Sequence, residues 1–231
     1  MLFSLIRSNF SISSAVACII SSLVVIFLTL PIHEYAHGLV ASKLGDPTPR
    51  YQGRLTLNPF AHIDYIGALS ILLFGFGWAK PVQINARYFK NPKAGMALSA
   101  LAGPTSNILV AIIAIMFSNV IKYFFTSAIS GDTAITVIFI LYAIFYYIAQ
   151  INVYLAVFNL LPVPPLDGSR ILFAFLPTKY YFGFMKYERY ITIGIFVLLW
   201  TGVLSVPLNY LSGAVMHFVY LIADLPFKFF V

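Results

Sequence analysis

The stretch His33-Glu34-Tyr35-Ala36-His37 decides how this chain is interpreted, because it follows twenty residues without a charge, Ser11 to Leu30. Those twenty residues are apolar enough for a membrane helix, and ionisable groups at membrane depth usually mark a working site or a paired network. The spacing of the two histidines adds to this. On an α-helix, positions i and i+4 lie one turn apart on nearly the same face, so His33 and His37 can bind one metal ion.

The glutamate of this motif lies beside the two histidines rather than on their face of the helix. Glu34 lies about 100° around the helix from His33, so its carboxylate can take a proton from a water molecule at the same ion. Two histidines and a glutamate in this pattern indicate a zinc-dependent hydrolase. The alternative is a chance match, in which both histidines simply pair with loop groups.

The composition indicates a membrane protein. Hydrophobic residues make up 61% of the 231 residues, charged residues make up 9%, and the mean hydropathy is +0.91. Since soluble domains carry about 25% charged residues, these values predict an α-helical polytopic membrane protein. The single cysteine, Cys18, can form no intrachain disulfide. We expect no nucleic-acid partner despite the net charge of +7, because basic residues in a membrane chain mainly report the side on which each loop lies.

Three long apolar stretches predict the core of the fold. The first runs from about Ile12 to Leu44, with a bend or interruption at Pro31, and no signal-peptide cleavage pattern closes it. The others run from Gly95 to Ile121 and from Ala134 to Asn159. Small residues in Ala102-Gly103-Pro104-Thr105-Ser106-Asn107 permit a close approach of the second helix to its neighbours.

Shorter segments surround these three stretches. Gln52-Gly53-Arg54-Leu55-Thr56-Leu57 alternates polar and apolar residues, which predicts a β-strand. Gly67 to Trp78 is apolar but only twelve residues long, so we expect a re-entrant or interfacial segment rather than a span. Two further short spans are predicted at Tyr190–Val206 and Leu208–Ala223, separated near Pro207.

The sequence does not divide into further domains. It contains no internal repeat and no appended soluble domain, so we expect one membrane-embedded domain over residues 1–231. Its core covers about residues 11–170, and its C-terminal spans cover about residues 190–225.

Basic residues fall unequally on the two sides that this arrangement creates. If Gly67–Trp78 enters and leaves on one side, twelve basic residues fall on that side, and only Arg7 and Lys122 fall on the other. The positive-inside tendency makes the first side cytoplasmic and the N-terminus extracytoplasmic. The twelve residues are Lys43, Arg50, Arg54, Lys80, Arg87, Lys90, Lys93, Arg170, Lys179, Lys186, Arg189 and Lys228.

The same arrangement brings Asp167 to the depth of His33 and His37. Asp167 is the only acidic residue near a membrane segment on that side that can complete a metal site with them. It follows a stretch with three prolines, Asn159-Leu160-Leu161-Pro162-Val163-Pro164-Pro165-Leu166, which forbids a continuous helix. The alternative role for Asp167 is a helix cap or a turn residue before Gly168.

Three motifs resemble those of the site-2 proteases, the intramembrane zinc metalloproteases of peptidase family M50. They are HEYAHG at residues 33–38, AGPTSN at 102–107 and NLLPVPPLDG at 159–168. The stretches QGRLTLNPFAHID and GFGWAKPV resemble the compact bacterial and archaeal branch of that family, and the PDZ or CBS insertions of better-known members are missing here. The resemblance covers most of the chain, with Leu30 to about Arg170 as its core.

This resemblance implies a site and an activity. It implies His33, His37 and Asp167 as ligands of one Zn²⁺ per chain, Glu34 as the catalytic base, and a β-hairpin region dipping into the membrane near the active site. The implied activity is hydrolysis of peptide bonds within or near transmembrane segments of membrane proteins. The protein is then a multi-pass protein of the cell membrane with its active site towards the cytoplasm. Its partners are the transmembrane substrate and the lipid bilayer, while its oligomeric state stays open.

Two asparagines are candidates for stabilising the transition state, because an amide can donate a hydrogen bond to a developing oxyanion. Asn159, eight residues before Asp167, is the first choice and Asn107 the second; the alternative for each is an interhelical hydrogen bond. His62 and Asp64 are candidates for further metal ligands or for partners of the ligands. Since three ligands already exist, a structural role is favoured for both.

Two other classes of protein remain open at this point. One is a membrane metal-ion transporter, because intramembrane histidine and aspartate clusters also bind ions in transit. The absence of repeat symmetry and the position of Glu34 argue against it. The other is an inactive scaffold that keeps the fold, against which the intact motifs argue.

Overall fold

The computed structural model of the protein describes residues 11–74, 77–125, 131–177 and 186–228, and every regular element in these ranges is a helix. Four of the helical stretches are long and apolar enough to cross a membrane. This confirms the predicted class, an α-helical protein with several membrane-capable helices. The four are Ile12–Lys43, Pro92–Phe125, Asp132–Asn159 and Ser205–Phe227.

The first long helix contains the interruption that its proline predicts. It consists of α1 (Ile12–Val24), a π-helical segment (Val25–Thr29) and α2 (Leu30–Lys43). Pro31 has no N–H for the helical hydrogen bonds, and its ring needs room beside the preceding turn. The wider π turn directly before α2 provides that room.

The predicted strand over residues 52–57 is wrong. A short helix, α3 (Thr48–Tyr51), precedes this stretch, and turn and irregular backbone follow until a 3₁₀ turn at Pro59–Ala61. Arg54 is buried and Leu57 is 56% exposed. The reason is that the Arg54 guanidinium hydrogen-bonds backbone carbonyls inside the protein, so burial does not follow hydrophobicity here.

The short apolar segment predicted at 67–78 overlaps α4 (Tyr65–Phe74), whose ten residues extend only about 15 Å at 1.5 Å per residue. The two ends of the segment 67–78 lie side by side. A Cβ atom added at Gly67 would lie 2.0 Å from the Trp78 carbonyl oxygen, and the Lys80 N–H donates to the His62 carbonyl at 2.8 Å. The chain therefore returns next to the point where α4 begins.

The other two long helices form the centre of the structure. They are α5 (Pro92–Val120), which continues as a π-helical segment over Ile121–Phe125, and α6 (Asp132–Asn159). Their predicted bounds are confirmed to within a few residues. α5 contacts both α2 and α6, and small or branched side chains fill its interface with α6. Those side chains are Ala111, Ala114, Ile115, Ile148, Ala149 and Val153.

The C-terminal part consists of α7 (Asp167–Phe175), α8 (Glu188–Trp200) and α9 (Ser205–Ala223). Of the two spans predicted here, only α9 is long enough to cross a membrane, since α8 has thirteen residues. The break between them lies at residues 201–204, where Gly202 has a φ of +78°, and not near Pro207. Pro207 lies in the first turn of α9, where a missing N–H costs no helical hydrogen bond.

The C-terminal residues lie at the end of the bundle away from the motif histidines. Asn119, near the end of α5, donates to the Asp224 carboxylate at 2.6 Å, and the rings of Tyr123 and Phe227 stack at 5.5 Å. Lys228 therefore lies at the same end as Lys122. Its predicted position with the other basic residues is wrong, because α8 and α9 do not make two crossings.

This position of Lys228 predicts a labelling pattern. In a Cys18→Ala background, which removes the only cysteine, we expect Lys122→Cys and Lys228→Cys to react with a membrane-impermeant maleimide from one side. Lys90→Cys should react from the opposite side. The cysteine-free parent is the control, and reaction of Lys228→Cys from the same side as Lys90→Cys would contradict the topology.

Candidate metal centre

The two histidines of the motif meet on α2 as their spacing predicts. His33 and His37 are both buried, and their Nε2 atoms lie 3.0 Å apart. The two rings are nearly perpendicular, with an interplanar angle of 89° and centroids 4.5 Å apart. Both Nε2 atoms thus face the same point beside the helix.

Asp167 completes the group. Its Oδ2 atom lies 3.4 Å from His33 Nε2 and 3.2 Å from His37 Nε2. Asp167 is the first residue of α7, and its side chain makes no capping hydrogen bond there. Among the described residues, these three are the group of side chains that can share one metal ion.

The turn between α6 and α7 brings this carboxylate to the histidines. Residues 160–166 form turns and bends after α6 ends at Asn159. Gly168 fits tightly against that turn, because a Cβ atom added there would lie 2.2 Å from the Leu160 carbonyl oxygen and 2.4 Å from that of Leu161. A glycine directly after Asp167 is therefore required for the turn to close.

Hydrogen bonds from α5 hold the imidazole rings in one orientation. The Nδ1 atom of His33 lies 3.2 Å from Asn107 Oδ1, and the Nδ1 atom of His37 lies 2.7 Å from the Ser99 carbonyl oxygen. Both partners are acceptors, so each Nδ1 carries the proton and each Nε2 keeps its lone pair. A partner on the second ring nitrogen is the usual way in which a metal-binding histidine is oriented.

The three donor atoms fit a zinc ion. Tetrahedral zinc with bonds of about 2.0–2.1 Å has ligand atoms about 3.3–3.4 Å apart, close to the 3.0, 3.2 and 3.4 Å found here. Two imidazole lone pairs and a carboxylate facing one point are a donor set that a divalent cation satisfies.

A close approach of α5 makes this arrangement possible. Ser99, Gly103 and Asn107 follow each other at intervals of four residues, so they share one face of α5. A Cβ atom added at Gly103 would lie 2.4 Å from the His37 ring and 2.6 Å from the His33 ring. The small-residue motif that predicted close helix packing therefore packs directly against the two candidate histidine ligands.

Glu34 lies beside the histidines and is also buried. Its Oε2 atom accepts a hydrogen bond of 2.8 Å from the backbone N–H of Val82. Val82 belongs to an irregular segment, residues 77–85, that runs past the site. Glu34 is thus held from outside its own helix, by a backbone group that sequence analysis did not identify.

A cavity of about 900 Å³ opens onto the site. Its walls include the three candidate ligands and Glu34 and come from α2, segment 77–86, the start of α5, the end of α6, α7 and α8. Asn159 lines this cavity, and no described residue hydrogen-bonds its side chain. Asn107, in contrast, is 1% exposed and contacts His33.

The remaining candidates have structural contacts. His62 is fully buried, and its Nε2 atom lies 2.8 Å from the Thr56 carbonyl oxygen. Asp64 accepts hydrogen bonds from the N–H groups of Ile66 and Gly67 at the start of α4. Neither belongs to the group of three metal-binding side chains.

Comparison with known proteins identifies the family of the chain. The chain matches the model of peptidase family M50 over residues 21–202. It is 39% identical over 155 residues to "Putative zinc metalloprotease YwhC" of Bacillus subtilis (strain 168), covering 67% of this chain and 68% of that protein. It is 30% identical over 169 residues to "Putative zinc metalloprotease MJ0611" of Methanocaldococcus jannaschii, covering 71% and 73%. "Zinc metalloprotease MJ0392" of the same archaeon is 28% identical over 163 residues, with 71% of this chain but 36% of that protein covered. No solved structure matches the chain.

The family match and the zinc metalloproteases among the relatives, together with the membrane-capable helices and the candidate metal site, identify an intramembrane zinc metalloprotease. The resemblance to site-2 proteases is confirmed: the chain belongs to peptidase family M50. Zinc as its cofactor is confirmed by the zinc metalloproteases that it matches and by the fit of the three side chains. These findings favour neither the transporter nor the inactive scaffold.

The contact at Gly103 predicts the effect of one methyl group. Gly103→Ala should displace both rings and weaken zinc binding by about 10–100-fold, the loss expected when the orientation of metal-binding histidines is disturbed. Elemental analysis of zinc per purified chain measures this. Gly213→Ala in α9 is the matched control, since a Cβ atom there meets nothing within 4 Å. Full zinc occupancy in Gly103→Ala would refute the role of this contact.

Proposed function

We propose that this protein hydrolyses peptide bonds within or near transmembrane segments of membrane proteins, with His33, His37 and Asp167 holding one Zn²⁺ and Glu34 acting as the base. One observation carries the proposal. The three donor atoms converge to within 3.4 Å of one another at the wall of a cavity that Glu34 also lines. Three protein ligands leave the fourth position of a tetrahedral site free, which is the pattern of catalytic zinc.

Glu34 moves the proton in this scheme. Zinc held by these three side chains would act as a Lewis acid and would lower the pKa of a bound water molecule towards neutrality. The Glu34 carboxylate accepts the proton of the attacking water and transfers it to the leaving amide nitrogen. The Val82 N–H orients the carboxylate through the atom Oε2.

The two asparagines have different surroundings, which supports different roles. Asn159 lines the cavity, so its amide can donate to the carbonyl oxygen of the scissile bond as negative charge develops. Asn107 faces His33 through its Oδ1 atom, which supports a role in orienting that ring. We therefore retain Asn159 as the donor to the oxyanion, and we assign Asn107 the role of orienting the His33 ring.

The distribution of charge supports a cytoplasmic site. Ten of the described basic residues lie at the end of the bundle that holds the metal centre, and Lys122 and Lys228 lie at the other. Arg7 and Lys179 fall outside the described residues. The positive-inside tendency then places the cavity towards the cytoplasm and the start of α1 on the outside. The adjacent ends of the segment 67–78 support the re-entrant arrangement on which this orientation was first based.

Glu34→Gln tests the proposed reaction. The purified variant should bind zinc like the parent, because Glu34 is not a ligand, and should cleave a transmembrane peptide about 10²–10⁴-fold more slowly. Mass spectrometry of the products and zinc analysis measure the two effects. Asp167→Ala is the companion variant, which should lose both zinc and cleavage. Cleavage by Glu34→Gln at the parent rate would refute the role of Glu34, and zinc flux into vesicles without peptide cleavage would point to transport.

A second pair of variants distinguishes the roles of the two asparagines. Asn107→Ala should weaken zinc binding by about 10–100-fold, because His33 loses the acceptor of its Nδ1 proton. Asn159→Ala should keep zinc and lose about 10²–10³-fold in kcat. Each variant serves as the control for the other in measurements of zinc content and kcat. A zinc-depleted Asn159→Ala, or a zinc-replete and slow Asn107→Ala, would reverse the assignment.

A further inference from the structure

Arg54 is a buried cation without an acidic partner. Its residue is 7% exposed, and its Nη2 atom donates to the carbonyl oxygens of Lys80 at 2.6 Å and Pro81 at 2.9 Å. All seven acidic residues of the chain are described, and none forms an ion pair with Arg54. Burying an unpaired charge costs free energy, and the two hydrogen bonds to carbonyl oxygens offset part of this cost.

The residue after these two carbonyls is the one that holds Glu34. Pro81 is followed by Val82, whose N–H donates to Glu34 Oε2 at 2.8 Å. Because a peptide unit is planar and rigid, fixing the Pro81 carbonyl also fixes the Val82 N–H that belongs to the same unit. A continuous set of contacts thus connects the Arg54 guanidinium to the Glu34 carboxylate.

The segment needs such contacts because it has no regular structure. Residues 77–85 form neither helix nor strand, so no repeating backbone hydrogen bonds determine their path. Single contacts do so instead: the Lys80 N–H donates to the His62 carbonyl at 2.8 Å, and the Asn85 N–H donates to the fully buried Asp46 at 2.7 Å. Arg54 holds the part of the segment nearest to Glu34.

The backbone before Arg54 directs its side chain inward. α3 ends at Tyr51, and Gly53 adopts a φ of +64°, a conformation that favours glycine. The Arg54 N–H then closes the turn onto the Pro49 carbonyl at 2.9 Å. This turn packs against Gly38, the neighbour of His37. The backbone of Arg54 is therefore held in a fixed position relative to α2.

We propose that Arg54 is a positioning residue for the reaction: it fixes the Lys80 and Pro81 carbonyls so that the Val82 N–H holds the Glu34 carboxylate in its productive orientation. The inference rests on the proposed role of Glu34 as the base. Arg54 contacts none of the three candidate metal ligands, so its effect is on the chemical step and not on zinc binding.

Three variants test this role with a transmembrane peptide as substrate. Arg54→Gln should lower kcat by about 10–100-fold, the usual loss when a group supporting an active-site side chain is removed, with KM and zinc content unchanged. Arg54→Lys keeps a cation that can reach a carbonyl, so its loss in kcat should be smaller. Arg50→Gln is the matched control, since Arg50 is exposed on the same short turn and should retain parent kinetics.

The outcomes separate positioning from simple support of the fold. The proposal is supported if kcat falls from the parent to Arg54→Lys and falls further in Arg54→Gln, while KM and zinc content stay constant. Parent kcat in Arg54→Gln, or a loss that appears in KM or zinc content, overturns it. If Arg54→Gln does not fold, Arg54→Lys decides: reduced kcat at unchanged KM supports the proposal, and parent kcat overturns it.

Failure of this proposal and failure of the proposed function give different results. Glu34→Gln is measured in the same assay. An inactive Glu34→Gln beside a fully active Arg54→Gln removes the role of Arg54 and leaves the protease mechanism intact. An active Glu34→Gln removes the mechanism itself and, with it, the proposed role of Arg54.

Discussion

The metal centre depends on the contact between Gly103 and the rings of His33 and His37. Because α5 presents no side chain there, its backbone can approach α2 closely enough for Ser99 and Asn107 to reach the Nδ1 atoms. The same approach excludes other positions for the rings. The geometry of the candidate ligands is therefore a result of helix packing, to which Gly103 contributes although it has no donor atom.

Much of this arrangement could be predicted from the sequence, because hydropathy and helical spacing are local signals. They identified the three long helices, the pair of histidines and the small residues of α5. Asp167 was found by its depth, which depends only on how many times the chain crosses. The error at Lys228 has the same origin: one crossing too many was assigned to α8 and α9, so this residue fell on the wrong side.

What sequence reasoning missed consists mainly of backbone groups. The Ser99 carbonyl and the Val82 N–H have no signature, because every residue carries such groups and only tertiary structure selects these two. The strand predicted at 52–57 failed for a related reason. Arg54 is buried because peptide carbonyls receive its donors, and a pattern of polar and apolar residues does not reveal where a polar side chain finds its partners.

The π-helical segment at Val25–Thr29 also sets the rotation of the two halves of the first helix. It contains one residue more than an α-helix of equal turns needs, so α1 is offset by about 100° around the axis relative to α2. With this offset, Ser21 faces α6 and donates to the Ile144 carbonyl at 2.8 Å. Deleting a single residue from this π-helical segment would leave the hydropathy and the metal-binding motif unchanged, but it would turn the side of α1 that carries Ser21 towards the lipid. The number of residues in the segment therefore matters independently of which residues they are.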